Sequence, residues 1–338
     1  MKFKKSINVA LGLIFSIGFL ILAFYNVKIE DVASGFKNFD LAYVIPITSL
    51  VLLYFIVRGY RWGLIFKPNA LPPFMSLFSG IMIGVMVNNL VPAKIGEVSR
   101  AFIVGKKEKI EISLTFGTII VERIFDFLAL IFCFFMLFLF SPKEQAFLTG
   151  MSSAEKTAFI STLALFIVLT GVIVFFKLKK DFFIKFVEKG TGLFSKKLSS
   201  KIYKWFNSFA GGLKCLDSFE NTAKIFFTSV FQWFIMGFCT WIALISFNID
   251  LPLSSACFVM IVVTLGVAIP PSPGGIGPTQ LVSVLVLTFY GINGGLAMGY
   301  SIVINFITFS IGTLLGIYFL FKESLKFSEL IKFSEREV

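Results

Sequence analysis

Asn88–Arg100 reads NNLVPAKIGEVSR. It follows an apolar run, Met75–Val87, that would otherwise continue across a bilayer. Irregular backbone at membrane depth leaves N–H and C=O groups without water, so it persists only where protein covers it or a wet cavity runs beside it. Pro92 cannot continue a helix, and Gly96 lets another backbone approach closely. A half-helix that begins at Ile95 or Gly96 points free N–H groups into the break and presents an anion-attracting end. Asn88, Asn89, Glu97 and Arg100 flank the break, and Glu97 and Arg100 are spaced i, i+3, so they can pair.

A second break lies late in the chain, at Pro270–Gln280 (PPSPGGIGPTQ), again inside an apolar run. Gly274 and Gly275 can take positive φ and expose N–H groups in a nest. Thr279 is placed to cap the half-helix that follows, and Ser272 and Gln280 add polar side chains. Interrupted apolar segments at corresponding places in the two halves of a chain point to a substrate site of the transporter kind.

Working outward, the composition settles the class. The chain has 338 residues, 57% hydrophobic and 15% charged, with 45 Phe and a mean hydropathy of +0.90. A soluble domain is about a quarter charged. The chain therefore reads as an all-α polytopic integral membrane protein. The net charge of +12 fits Lys-rich cytoplasmic loops beside anionic headgroups, not nucleic acid. There is no His, and Cys133, Cys215, Cys239 and Cys257 show no metal or disulfide spacing. No cofactor motif is present: there is neither a GxSxG nor a Walker-type GK[ST]. An enzymatic reading would have to rely on carboxylates or Lys.

Full spans are expected at about Ser6–Phe24, Leu41–Phe66, Ser113–Phe140, Thr157–Phe176, Ile225–Phe247 and Leu296–Phe321, about six in all. Two broken or re-entrant helical hairpins add to these. The first, Pro72–Lys109, has limbs at Phe74–Leu90 and Ile95–Val104. The second, Leu253–Tyr290, has limbs at Ser254–Ile269 and Thr279–Tyr290. Tyr25–Asp40 reads as an outer loop. Lys177–Lys224 carries eleven Lys against four acids, the strongest positive-inside signal in the chain. Within it, Phe182, Phe183, Phe186 and Val187 beside Lys180, Lys185 and Lys189 have the spacing of an amphipathic surface helix. Both termini are placed in the cytoplasm, and the first hairpin opens inside while the second opens outside. That is an inverted repeat, with the two breaks meeting near the midplane. The whole chain, 1–338, forms one transmembrane unit: a first part, 1–140, holding the broken segment 72–109; a middle, 141–224, of outer loop, span and basic loop; and a second part, 225–338, holding the broken segment 253–290.

Charges within spans cost several kcal/mol each and call for a partner or a cavity. Arg58 and Arg61 in RGYRW share one helix face and suit phosphate oxygens; the competing reading is snorkelling to the cytoplasmic interface beside Trp62. In VERIFDFLAL, Glu122 and Asp126 are spaced to hold Arg123 between them, either as a structural lock or as part of a headgroup site.

RGYRW, NNLVPAKIGEVSRA, VERIFDFLAL and PPSPGGIGPTQ, in that order, resemble the transmembrane (flippase-like) family of the lysylphosphatidylglycerol synthase, in a form that lacks the soluble aminoacyltransferase domain. The resemblance implies an integral-membrane lipid flippase of the cell's cytoplasmic membrane. Its cargo would be an anionic or aminoacylated phospholipid or a polyprenyl-phosphate-linked lipid. The expected substrate-binding residues are Arg58, Arg61, Asn88, Asn89, Glu97, Arg100, Glu122, Arg123, Asp126, Ser272, Gly274, Gly275 and Gln280. The expected partners are membrane lipids with anionic headgroups; a homo-oligomer and a separate lipid-modifying enzyme stay open. So do a membrane enzyme of lipid-linked glycan or phospholipid modification and a non-catalytic envelope assembly partner.

Overall fold

The computed structural model describes residues 18–24, 29–91, 95–142, 207–268 and 272–325, with scattered helical residues between 150 and 175 and residue 327. The span expected at Thr157–Phe176 falls mostly outside the described residues. The amphipathic stretch 182–189, most of Ser6–Phe24, and Pro92, Pro270 and Pro271 also lie outside them.

The labelled helices are α1 (Ile29–Lys37), α2 (Val44–Phe66), α3 (Phe74–Leu90), α4 (Gly96–Lys107), α5 (Ile112–Phe140), α6 (Phe219–Ile245), α7 (Leu253–Ala268), α8 (Pro278–Phe289) and α9 (Gly294–Lys322). Among the described residues, four helices are long and apolar enough to cross a bilayer: Leu41–Phe66, Ile112–Phe140, Phe219–Ile245 and Gly294–Lys322. Their outer faces carry rows of exposed apolar side chains, such as Leu128, Phe132, Phe135 and Leu139 on α5 and Phe227, Phe231 and Phe234 on α6. Water would oppose such a surface and lipid tails accept it. The broken limbs are shorter: α4 and α8 have 12 residues each, about 18 Å of rise against a hydrocarbon core of about 30 Å.

One correction concerns Tyr25–Asp40, expected as a loop. Residues Ile29–Lys37 form α1, which packs along α9. Its Gly35 lies against the Gly295 and Leu296 backbone, a closeness that the mixed charge of the segment hid.

Each break closes a hairpin. Gly84 faces Gly96 and Arg100, while Gly80 faces Val104, so α3 and α4 run antiparallel. A Cβ on Gly96 would overlap the Gly84 carbonyl oxygen and stand 2.6 Å from Asn88 Oδ1. Gly96→Ala must push the limbs apart, with an expected cost of about 1–3 kcal/mol. Thermal unfolding of the purified protein in detergent checks this, and an unchanged midpoint would show that the hairpin is not held this tightly.

The described helices repeat one order: a long helix, a broken pair, a long helix. α2, α3/α4 and α5 form one set; α6, α7/α8 and α9 form the other. The helices α2 and α6 pack together, with Arg61 meeting Ser229 and Ile47 meeting Cys239, which makes them antiparallel. Equivalent helices that run in opposite directions make the repeat inverted, as expected. The two breaks also meet. The turn Pro273–Gly275 packs on α3, and a Cβ on Gly274 would lie 3.8 Å from the Asn89 carbonyl oxygen. α9 holds both tips: Asn89 Nδ2 donates to the Phe309 carbonyl at 3.2 Å and to Thr313 Oγ1 at 3.0 Å, and Asn305 Nδ2 donates to the Gly274 carbonyl at 3.2 Å.

Candidate functional site

Three helices of the first half converge on one buried cluster. α2 supplies Arg58 and Arg61, α4 supplies Glu97 and Arg100, and α5 supplies Glu122, Arg123 and Asp126. Glu122 lies ten residues into α5, about 15 Å along its axis and within an apolar span. Arg61 and Glu122 are fully buried, and Arg58, Arg100 and Asp126 nearly so. Charges at this depth persist because they pair with one another.

Glu122 is the hub. It accepts from Arg58 Nε at 2.8 Å and from Arg100 Nη1 at 3.1 Å, while Arg100 Nη2 bonds its other oxygen. Arg61 Nη1 stands 2.6 Å from Asp126 Oδ1 and donates to Ser229 Oγ on α6 at 2.7 Å. Arg123 Nη2 donates to Glu97 Oε1 at 2.6 Å and its Nη1 to Asp126 Oδ2 at 3.2 Å. Below this layer, the Arg100 guanidinium carbon sits 3.6 Å from the centre of the Trp62 ring, and Trp62 Nε1 donates to Thr118 Oγ1 at 3.0 Å. Arg100 is thereby held flat between a carboxylate and an aromatic face.

The cluster has four guanidiniums (Arg58, Arg61, Arg100, Arg123) and three carboxylates (Glu97, Glu122, Asp126), which leaves one positive charge in excess. It also has unused donors: Arg61 Nε and Nη2 and Arg100 Nε are buried without a hydrogen-bond partner. Its open side is the Arg123–Glu97 pair, whose side chains are 43% and 26% exposed. Arg123 lies about 120–180° around α5 from Leu128, Phe132, Phe135 and Leu139 at about 100° per residue. It therefore faces away from that apolar row. Excess positive charge, free guanidinium donors and an opening together suit an oxyanion such as a phosphate.

The structure thus brings seven of the sequence-derived site residues into one cluster and turns Arg58 and Arg61 inward to carboxylates instead of outward to the interface. Arg123 stands between Asp126 at 3.2 Å and Glu122 at 3.7 Å on its own helix, as its spacing predicts, and Glu97 of the neighbouring helix binds it more closely, at 2.6 Å. Arg100 binds Glu122 more closely than Glu97, which stands at 3.5 Å.

The other predicted residues stand at the hairpin tips. Asn88 Oδ1 accepts from the Gly96 N–H at 2.7 Å, so that donor of the half-helix already has a partner. Gly274 and Gly275 have φ of 59° and 70°, as expected, but the nest is folded on itself: the Gly275 N–H donates to the Ser272 carbonyl and the Ile276 N–H to the Pro273 carbonyl. Thr279 is not the cap. Gly277 occupies the N-cap, and its N–H donates to Gln280 Oε1 at 2.7 Å. The reason is spacing: Pro278 starts the helix, so the residue before it must cap. Trp62, Thr118, Ser229 and Gln232 were missed. Ser229 and Gln232, three apart in the otherwise apolar FFTSVFQWF, were the available signal.

These features define a polytopic α-helical membrane protein, an inverted repeat with a buried charge cluster in its first half. The chain belongs to the family described as lysylphosphatidylglycerol synthase TM region, whose family model matches residues 9–316. A UPF0104 membrane protein of Methanocaldococcus jannaschii is 30% identical over 210 residues, covering 62% of this chain and 82% of that protein. A second from the same organism is 25% identical over 331 residues, covering 94% and 95%. A UPF0104 membrane protein of Methanothermobacter thermautotrophicus is 20% identical over 328 residues, covering 94% and 95%. No solved structure matches.

Proposed function

We propose that this protein is a flippase, a lipid transporter that moves a lipid with a phosphate-bearing headgroup between the leaflets of the cell membrane. The observation that carries this reading is the buried cluster, with its excess positive charge and its exposed edge at Arg123 and Glu97. A phosphate at that edge takes the place of Glu97 on Arg123 and meets the unused donors of Arg61 and Arg100. Glu97 then stays paired with Arg100 at 3.5 Å and Arg58 at 4.0 Å. The acyl or isoprenyl chains remain in the bilayer, so only the headgroup has to cross through protein. Rocking of one half of the inverted repeat against the other would open the cluster to each side in turn. The partners in this reading are membrane lipids with anionic headgroups, supplied by a separate lipid-modifying enzyme. The membrane is the cytoplasmic one, with both termini inside.

The test is leaflet exchange in liposomes that hold the purified protein, with an ion gradient supplied. Labelled phosphatidylglycerol, its aminoacylated form and a polyprenyl phosphate are offered in turn. Faster exchange of one of them, lost with Arg123→Ala, is the expected result. Exchange no faster than in protein-free liposomes for all of them would overturn the reading.

A further inference from the structure

The second half holds a cavity of its own. About 150 Å³ of space lies between α6, α7, α8 and α9, room for about five waters at about 30 Å³ each. Eight of its thirteen lining residues carry a hydroxyl or amide group, apolar atoms make up most of its wall, and none of the lining residues is charged. Most of these polar groups already have their donors engaged. Thr264 Oγ1 donates to the Met260 carbonyl at 2.7 Å, Ser301 Oγ to the Met298 carbonyl at 2.8 Å, and Thr308 Oγ1 to the Ile304 carbonyl at 2.9 Å. Asn305 gives its amide nitrogen to Gly274. At these residues acceptor lone pairs remain for the cavity, and Asn305 keeps a second amide N–H.

One face of α6 joins this cavity to the arginine cluster. Ser229, Gln232, Trp233, Met236 and Thr240 fall within about 60° of a single line along the helix. Ser229 accepts from Arg61 at one end. Met236 and Thr240 line the cavity at the other, beginning about 10 Å further along the axis. Between them Gln232 is fully buried and Trp233 is 8% exposed. Neither amide atom of Gln232 has a hydrogen-bond partner, nor has Trp233 Nε1. Buried polar groups without partners are rare, so three in a row call for polar partners, which a headgroup can supply.

We infer that the α6 stripe and this cavity form a second headgroup subsite, for an uncharged, hydroxyl-bearing group such as a sugar or polyol joined to the phosphate held by the arginines. The inference rests on the lipid-headgroup reading of that cluster. Neutral hydroxyl and amide groups exchange hydrogen bonds with O–H groups, and without a cation they offer a phosphate no counter-charge. An ammonium would be buried there without a counter-charge, at a cost of several kcal/mol. Gln232 and Trp233 donate to and accept from the linking atoms, and the hydroxyls of α7, α8 and α9 receive the far end.

Retention of short-chain lipids by the purified protein, measured by native mass spectrometry, tests this without requiring transport. The probes are dioctanoyl phosphatidylinositol, phosphatidic acid and phosphatidylethanolamine. Wild type is expected to retain phosphatidylinositol over phosphatidic acid by about tenfold, and this advantage should shrink to near parity in Thr264→Val/Ser283→Ala. Gln232→Leu, a shape-preserving change, should shrink it as well and serves if the double variant does not fold. Equal retention of the two lipids by wild type overturns the inference, as does an advantage unchanged in the variants or a preference for the ethanolamine lipid. If Arg123→Ala weakens retention of all three lipids while the cavity variants keep the wild-type ranking, the arginine reading stands and this one falls.

Discussion

Glu122→Gln is expected to lower the stability of this protein by about 3–5 kcal/mol, seen as a fall of roughly 10 °C in the unfolding midpoint in detergent. Glutamine matches glutamate in shape, so the loss is one of charge, not of volume. Glu122 is fully buried and bonds both Arg58 and Arg100. Arg61 and Arg123 each stand 3.7 Å from its Oε1. Without its charge, four guanidiniums face only Glu97 and Asp126 at a depth where water cannot screen them. Desolvated charge without a partner destabilises far more than a pair contributes. Adding Arg58→Met to the same chain removes one of the uncompensated cations and should recover part of the loss. A midpoint equal to wild type in the single variant would show that packing holds the cluster and that its charges matter little to the fold.

Arg123→Ala is expected to do the reverse: leaflet exchange falls by about 10-fold to 100-fold, the worth of charge-assisted hydrogen bonds to a phosphate, while the midpoint moves by only a few degrees. Arg123 is the half-open member of the cluster, 43% exposed along its side chain, so its removal desolvates nothing new. Glu97 keeps Arg100 and Arg58 as neighbours. Arg123→Lys retains the charge but loses the planar fork and should recover only part of the rate. A purely structural role predicts the opposite split, with a lower midpoint and normal exchange per folded molecule. Wild-type exchange in Arg123→Ala would remove Arg123 from the headgroup path.

The sequence went far on the fold because membrane depth forbids most alternatives. The limb Phe74–Leu90 matches α3 at both ends, and the spans ending at Phe66 and Phe140 end there in the structure. An apolar run with an interruption leaves few places for a helix to stop. The site was legible as a list of charged and polar residues in spans, since each such residue demands a reason. Its membership was less so. Eleven of the thirteen expected positions looked alike on that criterion, and only three-dimensional packing sorts the seven of the charge cluster from those that brace the hairpin tips. The helix Ile29–Lys37 escaped because Glu30, Asp31 and Lys37 read as the charges of a loop, although Ile29, Val32, Ala33 and Phe36 fall at helical spacing.

By itself, then, the amino-acid order determined that this is a helical membrane protein with two broken segments. The energy of burying a charge or an unpaired peptide group is large enough to be read one residue at a time. Only the tertiary structure decided which charges meet. Glu122 could pair with Arg123 one residue on or with Arg100 and Arg58 on other helices, and local spacing favours none of them. The antiparallel packing of α3 on α4, as close as Gly84 and Gly96 permit, carries Arg100 to Glu122 and leaves Arg123 at the opening.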